Sequence, residues 1–272
     1  MPAAWGIMKT LSRINIALHW CARPLPNKRS AVENTALHNN EVDDMKRSVA
    51  VWDLPTRIFH WSLVLLVVGS FTSGKIGGNA MLWHGTFGVA ILGLLSFRLV
   101  WGLIGSTYAR FFTFVRGPRA IIAYLRGEWR GLGHNPLGAL SVVALLAVLS
   151  FQALSGLVSN DDIAFNGPLY PLVSKAYSDW MTGLHRRSEL VILVLVFLHV
   201  GAIIYYLRVK KQNLVRPMIT GLTRTTDADA RPATGGGPLA FLVAVVIALA
   251  AVWAASGGVL PPPPPPPPAP AW

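Results

Sequence analysis

A single cysteine, Cys21, stands in the whole chain. No internal disulfide can form, and neither a cysteine-built metal centre nor a thioether-linked cofactor can be assembled. Charge is scarce too. Charged residues make up 13% of the chain against a hydrophobic share of 53%, and mean hydropathy is +0.47, which excludes an ordinary soluble domain. Acid is the rarer sign, with 12 Asp and Glu against 24 Lys and Arg. A net charge of +12 can mark a nucleic-acid binder. Here the basic residues cluster between apolar runs and no aromatic-basic binding module accompanies them, so the charge is assigned to membrane topology and no nucleic-acid partner is expected. The chain also lacks a secretory signal at its start, an internal repeat and any strand-patterned region.

What it does have is apolar runs. Four of them, at about 56–73, 80–104, 137–158 and 184–207, are long enough to cross a bilayer, and a fifth at about 239–255 is near the short limit. The expected fold is an all-α integral membrane protein, a four-helix transmembrane bundle with a fifth C-terminal span. Pro55 suits the first turn of the first helix, and Gly74, Gly77 and Gly78 mark a tight turn that makes the first two spans antiparallel neighbours. Residues 1–47 form a polar extension expected to be disordered, with Met45 a plausible alternative start, and 48–222 hold the four-helix domain. A Gly-containing hinge at 223–238 leads to the fifth span (239–256) and to a proline-rich tail (257–272), for which an extended polyproline helix is expected. The connection after the second span includes an amphipathic piece, "GPRAIIAYLRGEW", suited to the membrane interface. Loops after the second and fourth spans are rich in Arg and Lys and the others are poor in them, so the amino terminus is expected on the cytoplasmic side of a bacterial inner membrane.

Four histidines fall inside or at the mouths of these runs. His185 and His199 lie fourteen residues apart on the fourth span, close to four turns and about 21 Å of rise, which sets both on nearly one face. His60 sits one turn into the first span and His84 at the opening of the second. Following the chain through the bilayer pairs His84 with His185 near the outer face and His60 with His199 on the inner side. An imidazole in lipid is costly unless it has a function or a partner. Bis-histidine ligation of haem needs two imidazoles on facing helices at one depth, and the chain offers two such pairs. The expected cofactors are therefore two haems, and the expected function is transmembrane electron transfer. A haem-free proton or metal-ion transporter is the competing class; it would show acidic residues or broken helices at mid-membrane, and none is evident. Gly69, Gly85, Gly88 and Gly201 are candidates to make room for macrocycles. Gln152 and the serines of the third span are expected to pack helices, and His134, among turn formers in "GLGHNPLG", is expected to be a loop residue rather than a ligand.

The segments "VWDLPTRIFHW", "WHGTFGVAILGLLSFRLVWGLIG", "FVRGPRAIIAYLRG", "LGHNPLG", "LVSNDD" and "NLVRPMITG" resemble the prokaryotic cytochrome b561 family, and are most similar to its branch of nickel–iron hydrogenase b-type cytochrome subunits. The resemblance covers about residues 48–222. It implies a four-helix core with two b haems and axial ligands at positions matching His60, His84, His185 and His199. It also implies partners: membrane lipid, the quinone pool (with room for a bound quinone) and a redox protein such as a c-type cytochrome or a hydrogenase. Relatives that act as superoxide-quinone oxidoreductases give an alternative function on the same scaffold. Arg57, Arg98, Arg186 and Arg187 are candidates for haem-propionate contact or for anchoring helix ends at the headgroups.

Overall fold

The computed structural model describes residues 47–129 and 131–261. The expected N-terminal extension, with His19, Cys21 and His38, and the proline-rich tail beyond 261 lie outside the described residues. Among the described residues, five helices are long and apolar enough to cross a membrane.

The chain enters through a short strand, β1 (Arg47–Ala50), and turns at Asp53 into α1 (Leu54–Ile76). Asp53 is an N-cap, its carboxylate accepting from the backbone N–H of Thr56 at 2.6 Å, and Pro55 occupies the first turn where a missing N–H costs nothing. The helix runs through Gly74 and stops only at Gly77, whose φ of 70° an L side chain resists. A single 3-10 turn at Gly78–Ala80 leads straight into α2 (Met81–Ile104). Two short helices follow, α3 (Phe111–Phe114) and α4 (Pro118–Leu125), and α4 buries no residue. Then come α5 (Pro136–Leu157), capped by Asn135, and α6 (Lys175–Arg208), 34 residues long and capped by Ser174. α6 starts well before the apolar run at Leu184, because the polar stretch 175–183 belongs to the same helix. Past α6, α7 (Val215–Thr220) and the strand β2 (Leu222–Thr225) precede the fifth span, α8 (Pro238–Trp253).

Two strands correct the expectation of none: β1 and β2 pair as a two-stranded ribbon. Each is only four residues long, too short for a period-two pattern to stand out. Arg47 and Arg224–Ala228 cluster as a small unit of their own, in which the Arg47 guanidinium donates to the carbonyls of Asp227 and Ala228. Within the large unit, the segment expected as a hinge is tied down. Ala233 N–H donates to Ala50 O at 2.7 Å, Thr107 N–H to Thr234 O at 2.8 Å, and Tyr108 OH to Arg231 O at 2.7 Å.

These elements define two ends of the bundle. The ribbon end carries the α2–α5 connection and the segments after α6. The turn end carries Gly78–Ala80 and the α5–α6 loop. α2 is the central helix, packing on α1, α5 and α8, while α6 packs closely along α5 and has no comparable packing with α1 or α2. A gap is left between α6 and the α1–α2 hairpin. On the opposite side of α2 the fifth span lies close: Phe97 stacks on Trp101, and Phe241 of α8 meets both edge-on at 5.9 and 6.1 Å. Gly93 permits the approach, since a Cβ there would meet Val252 at 2.5 Å.

Asp53 ties these helices together at the ribbon end. Its second carboxylate oxygen accepts from the Trp101 indole N–H at 3.1 Å and from the Ser106 hydroxyl, with Trp101 itself 1% exposed. Replacing Asp53 with Ala is expected to cost about 1 kcal/mol for the cap and a further 1–3 kcal/mol, roughly, for the stranded indole N–H. Asp53→Asn, which keeps an acceptor, should lose less. Thermal unfolding in detergent followed by circular dichroism reads both, and equal midpoints for the wild type and the Ala variant would remove Asp53 from this role.

Candidate functional site

The gap beside α6 is where the paired histidines meet. At the turn end, the first turn of α2 presents His84 and the first third of α6 presents His185, their ring centroids 6.0 Å apart. His84 Nδ1 lies 2.8 Å from the carbonyl oxygen of Ser70. A carbonyl only accepts, so this nitrogen bears the proton and Nε2 keeps its lone pair. His185 Nδ1 lies 3.0 Å from Ser155 Oγ, and that hydroxyl donates to Gln152 O at 3.0 Å, so it accepts from the ring. Both rings are thus fixed in one tautomer with Nε2 available, the arrangement by which hydrogen bonds behind a histidine orient it toward a metal.

Glycines make this fit possible. A Cβ at Gly74 would stand 2.8 Å from His84 Nδ1, and one at Gly156 would stand 3.1 Å from His185 Cε1. Each ring lies against a neighbouring helix at a position with no side chain. Between them opens a cavity of about 440 Å³, lined by both histidines, Ser70, Gly88, Gln152 and Arg186 among others. That is the scale of a cofactor site, roughly 300–1,000 Å³. Phe165 of the α5–α6 loop also lines it and packs against Gly85.

At the ribbon end His60 of α1 and His199 of α6 face each other with centroids 6.5 Å apart. His60 Nδ1 is sealed from solvent and has no hydrogen-bond partner. A metal bonded to two imidazoles at about 2.0–2.1 Å on each side sets the ring centroids about 6 Å apart, which both pairs match. Neither has a third protein ligand, since no cluster of three or more His, Cys, Asp or Glu that could hold a metal occurs among the described residues. Two imidazoles alone suit a metal that arrives with its own equatorial ligands, as haem iron does.

The arginines expected near these pairs separate into two kinds. Arg98 is 3% exposed; its Nη1 donates to Ala109 O at 3.0 Å and its guanidinium lies over Phe111 at 4.8 Å. Arg186 lines the turn-end cavity. Arg187 is exposed and is not among the lining residues, and Arg57 is turned to the ribbon end, donating to Ile219 O.

Several residues escaped the sequence. Gly74, expected only as a turn former, and Gly156 are the glycines that receive the imidazoles; of those expected to make room for a macrocycle, Gly88 lines the cavity with open space beside it, while Gly69 and Gly85 face Phe87 and Phe165. Ser155 positions His185 rather than only packing helices. Glu189, one turn from His185 in α6, is an acid at the turn end rather than at mid-membrane, and the sequence did not single it out. Its carboxylate pairs with Lys75 of α1 at 2.6 Å beside the cavity, so the charge is neutralised by a partner distant in sequence. His134 does sit in a loop, but it is enclosed, edge-on to Trp52 at 4.6 Å and against Phe114 at 4.4 Å. Burial first, then the neighbouring Arg98 and His199, push its pKa down to about 3, leaving the ring neutral.

Fold and site together define a multi-pass helical membrane protein with two pairs of opposed imidazoles between its helices. The sequence pattern of the family described as prokaryotic cytochrome b561 matches residues 51–221, and the chain belongs to that family: it is a b-type cytochrome of transmembrane electron transfer. It is similar to the protein named "Probable Ni/Fe-hydrogenase B-type cytochrome subunit" from Rhizobium leguminosarum bv. viciae, with 23% identity over 222 residues, covering 65% of this chain and 89% of that one. No solved structure matches the chain.

Gly74→Val is expected to drive the His84 ring off Ser70 and to lower the haem bound per purified chain by a large fraction. Pyridine haemochrome quantification reads it, and wild-type haem content in this variant would show that the close seat at Gly74 does not matter.

Proposed function

We propose that His84 with His185 and His60 with His199 are the axial ligands of two b haems, and that the chain carries electrons across the inner membrane between the quinone pool and a redox protein. The observation that carries this is the two facing imidazole pairs at two levels of one bundle, both anchored on α6. Haem bound there supplies a one-electron couple. Two imidazoles at each level would leave a bound haem no open coordination site, so the task the chain suits is relay rather than ligand activation. Arg186 at the turn end and Arg98 at the ribbon end are the arginines best placed to neutralise propionates. Arg57 and Arg187 fit better as anchors.

Orientation follows the charges. Arg110, Arg116, Arg119, Arg126, Arg208, Lys210, Lys211 and Arg216 all belong to the ribbon end, which is therefore cytoplasmic, with the turn end outside. The hydrogenase-subunit name of the relative favours a hydrogenase or a similar redox enzyme as outer partner, with quinone as the second.

Superoxide oxidation needs a positive approach to the outer haem, because its substrate is a small anion. The turn end opposes this: Lys175 is held by Asp162 at 2.7 Å and by Asp179 at 2.9 Å, and Asp161 adds a further negative charge. Three backbone N–H groups, from Ile163, Phe165 and Ala164, hold the Asp161 carboxyl below the usual carboxylate range. Relay ranks first on that ground.

Haemochrome quantification should give two haems per chain. His199→Ala should remove one spectral component and His84→Ala the other. Quinol should reduce the purified protein, and partner-free reduction by superoxide that depends on Arg186 would reverse the ranking. A haem content of one, or either alanine variant keeping both components, would end the ligand assignment.

A further inference from the structure

His134 carries the structure beyond the four ligands. It is the second imidazole of the ribbon end whose Nδ1 is sealed from solvent without a partner, His60 being the other. Buried polar atoms in a native fold are almost always hydrogen-bonded, so an orphan points to a group not yet counted. The loop does not leave this ring unpartnered through slackness. Asn135, next in sequence, caps α5 by accepting from Gly138 N–H at 2.7 Å, and its amide donates to Tyr206 OH at 2.9 Å. Tyr206 stands on α6, about two turns beyond His199. Gly133, at φ +80°, lets the chain turn inward with the Tyr108 ring 3.1 Å from where a Cβ would be. Trp52 and Phe114 then flank the imidazole on two sides, and Nδ1 itself is sealed from solvent.

The neighbouring charge is as unusual as the orphan. Arg98 is a nearly fully buried cation, and no carboxylate stands within ion-pair distance of it among the described residues. Asp53, the acid whose charge acts on it, is already committed to Trp101, Ser106 and the α1 cap. A buried cation without an ion-paired carboxylate among the described residues and a neutral N–H donor therefore stand close enough to act on one another, and His199 acts on the same imidazole. A b haem, held without covalent bonds, brings two carboxylates that need such partners in an apolar setting.

We propose that His134 donates a hydrogen bond from Nδ1 to a propionate of the haem held by His60 and His199, with Arg98 supplying the opposing charge. This rests on the ligand assignment above. His134 is thus a positioning residue, and through the propionate it sets the potential of one haem only. Without the donor the propionate charge is less compensated, which favours the oxidised iron.

The test uses the full-length protein in detergent, titrated potentiometrically, with the ribbon-end haem identified as the component missing in His199→Ala. In His134→Phe, which fills the volume and cannot donate, that haem should show about a tenfold lower ferrous-to-ferric ratio at fixed potential, or about 59 mV for one electron. The other haem should not move. His134→Gln, which can donate, should recover most of the shift. An unchanged midpoint in both variants, a shift in Gln as large as in Phe, equal shifts of both haems, or loss of the ribbon-end haem from both variants alike would each overturn the proposal. Failure of the underlying assignment shows separately, as His199→Ala retaining two haems, and would overturn both.

Discussion

An imidazole inside a bilayer has two nitrogens to satisfy and no water to satisfy them with. The rest of the structure follows from how that demand is met. At the turn end one nitrogen of each ring is tied to a neighbouring helix, through Ser70 O and Ser155 Oγ. The second nitrogen of each must find its partner in the space between. α6 lies close along α5 yet stands off from α1 and α2, and a gap of that kind in a close-packed bundle forfeits dispersion contacts unless something fills it. The orphan at His60, the cavity at His84 and His185 and the missing helix contacts are three expressions of one requirement. On the ligand assignment proposed above, cofactor binding and completion of the helical core would be the same event.

α2 carries the other half of the architecture. It is the most buried of the spans, with α1 and α5 on its flanks and α8 behind. Its register against α1 is set at both ends, by the turn at Gly77–Ala80 and by the Asp53 carboxylate reaching Trp101 and Ser106. That register decides the relative depths of His60 and His84. α8 lies outside the residues matched by the family, but it covers the aromatic face of Phe97 and Trp101 and so shields the back of α2 from lipid.

The spans and histidine pairs were legible because the physics that selects them is strong and local. A run of about 20 apolar residues is the bilayer thickness written in sequence, and a fourteen-residue spacing is close to a whole number of helical turns. What stayed hidden depended on pairings distant in sequence. Glu189 looks like a tolerable polar residue until Lys75 is seen beside it. Gly74 and Gly156 are indistinguishable from other membrane glycines until a ring is found against them. His134 sits in a turn-rich stretch, and only the convergence of Trp52 ahead of α1, Phe114 of α3 and the α5 cap packs around it. The first turns of α6 were missed for a different reason: Lys175, Ser178, Asp179 and Thr182 carry no apolar period, and their helicity comes from the Ser174 cap and from Asn160 bonding to Ser178 and Asp179.

Placing His185 and His199 on one helix has a consequence for the relay. Their separation along the membrane normal is fixed by helical rise, about 21 Å for fourteen residues, and no loop movement alters it. In a hydrocarbon layer of about 30 Å, that spacing sets each pair a short way inside one face, close to partners in water or at the headgroups. The α1–α2 hairpin only has to match those two levels, and its tight turn lets it do so with one register. The division of labour is therefore uneven: α6 measures the distance across the barrier, and the hairpin, clamped by Asp53, brings an opposing imidazole to each level.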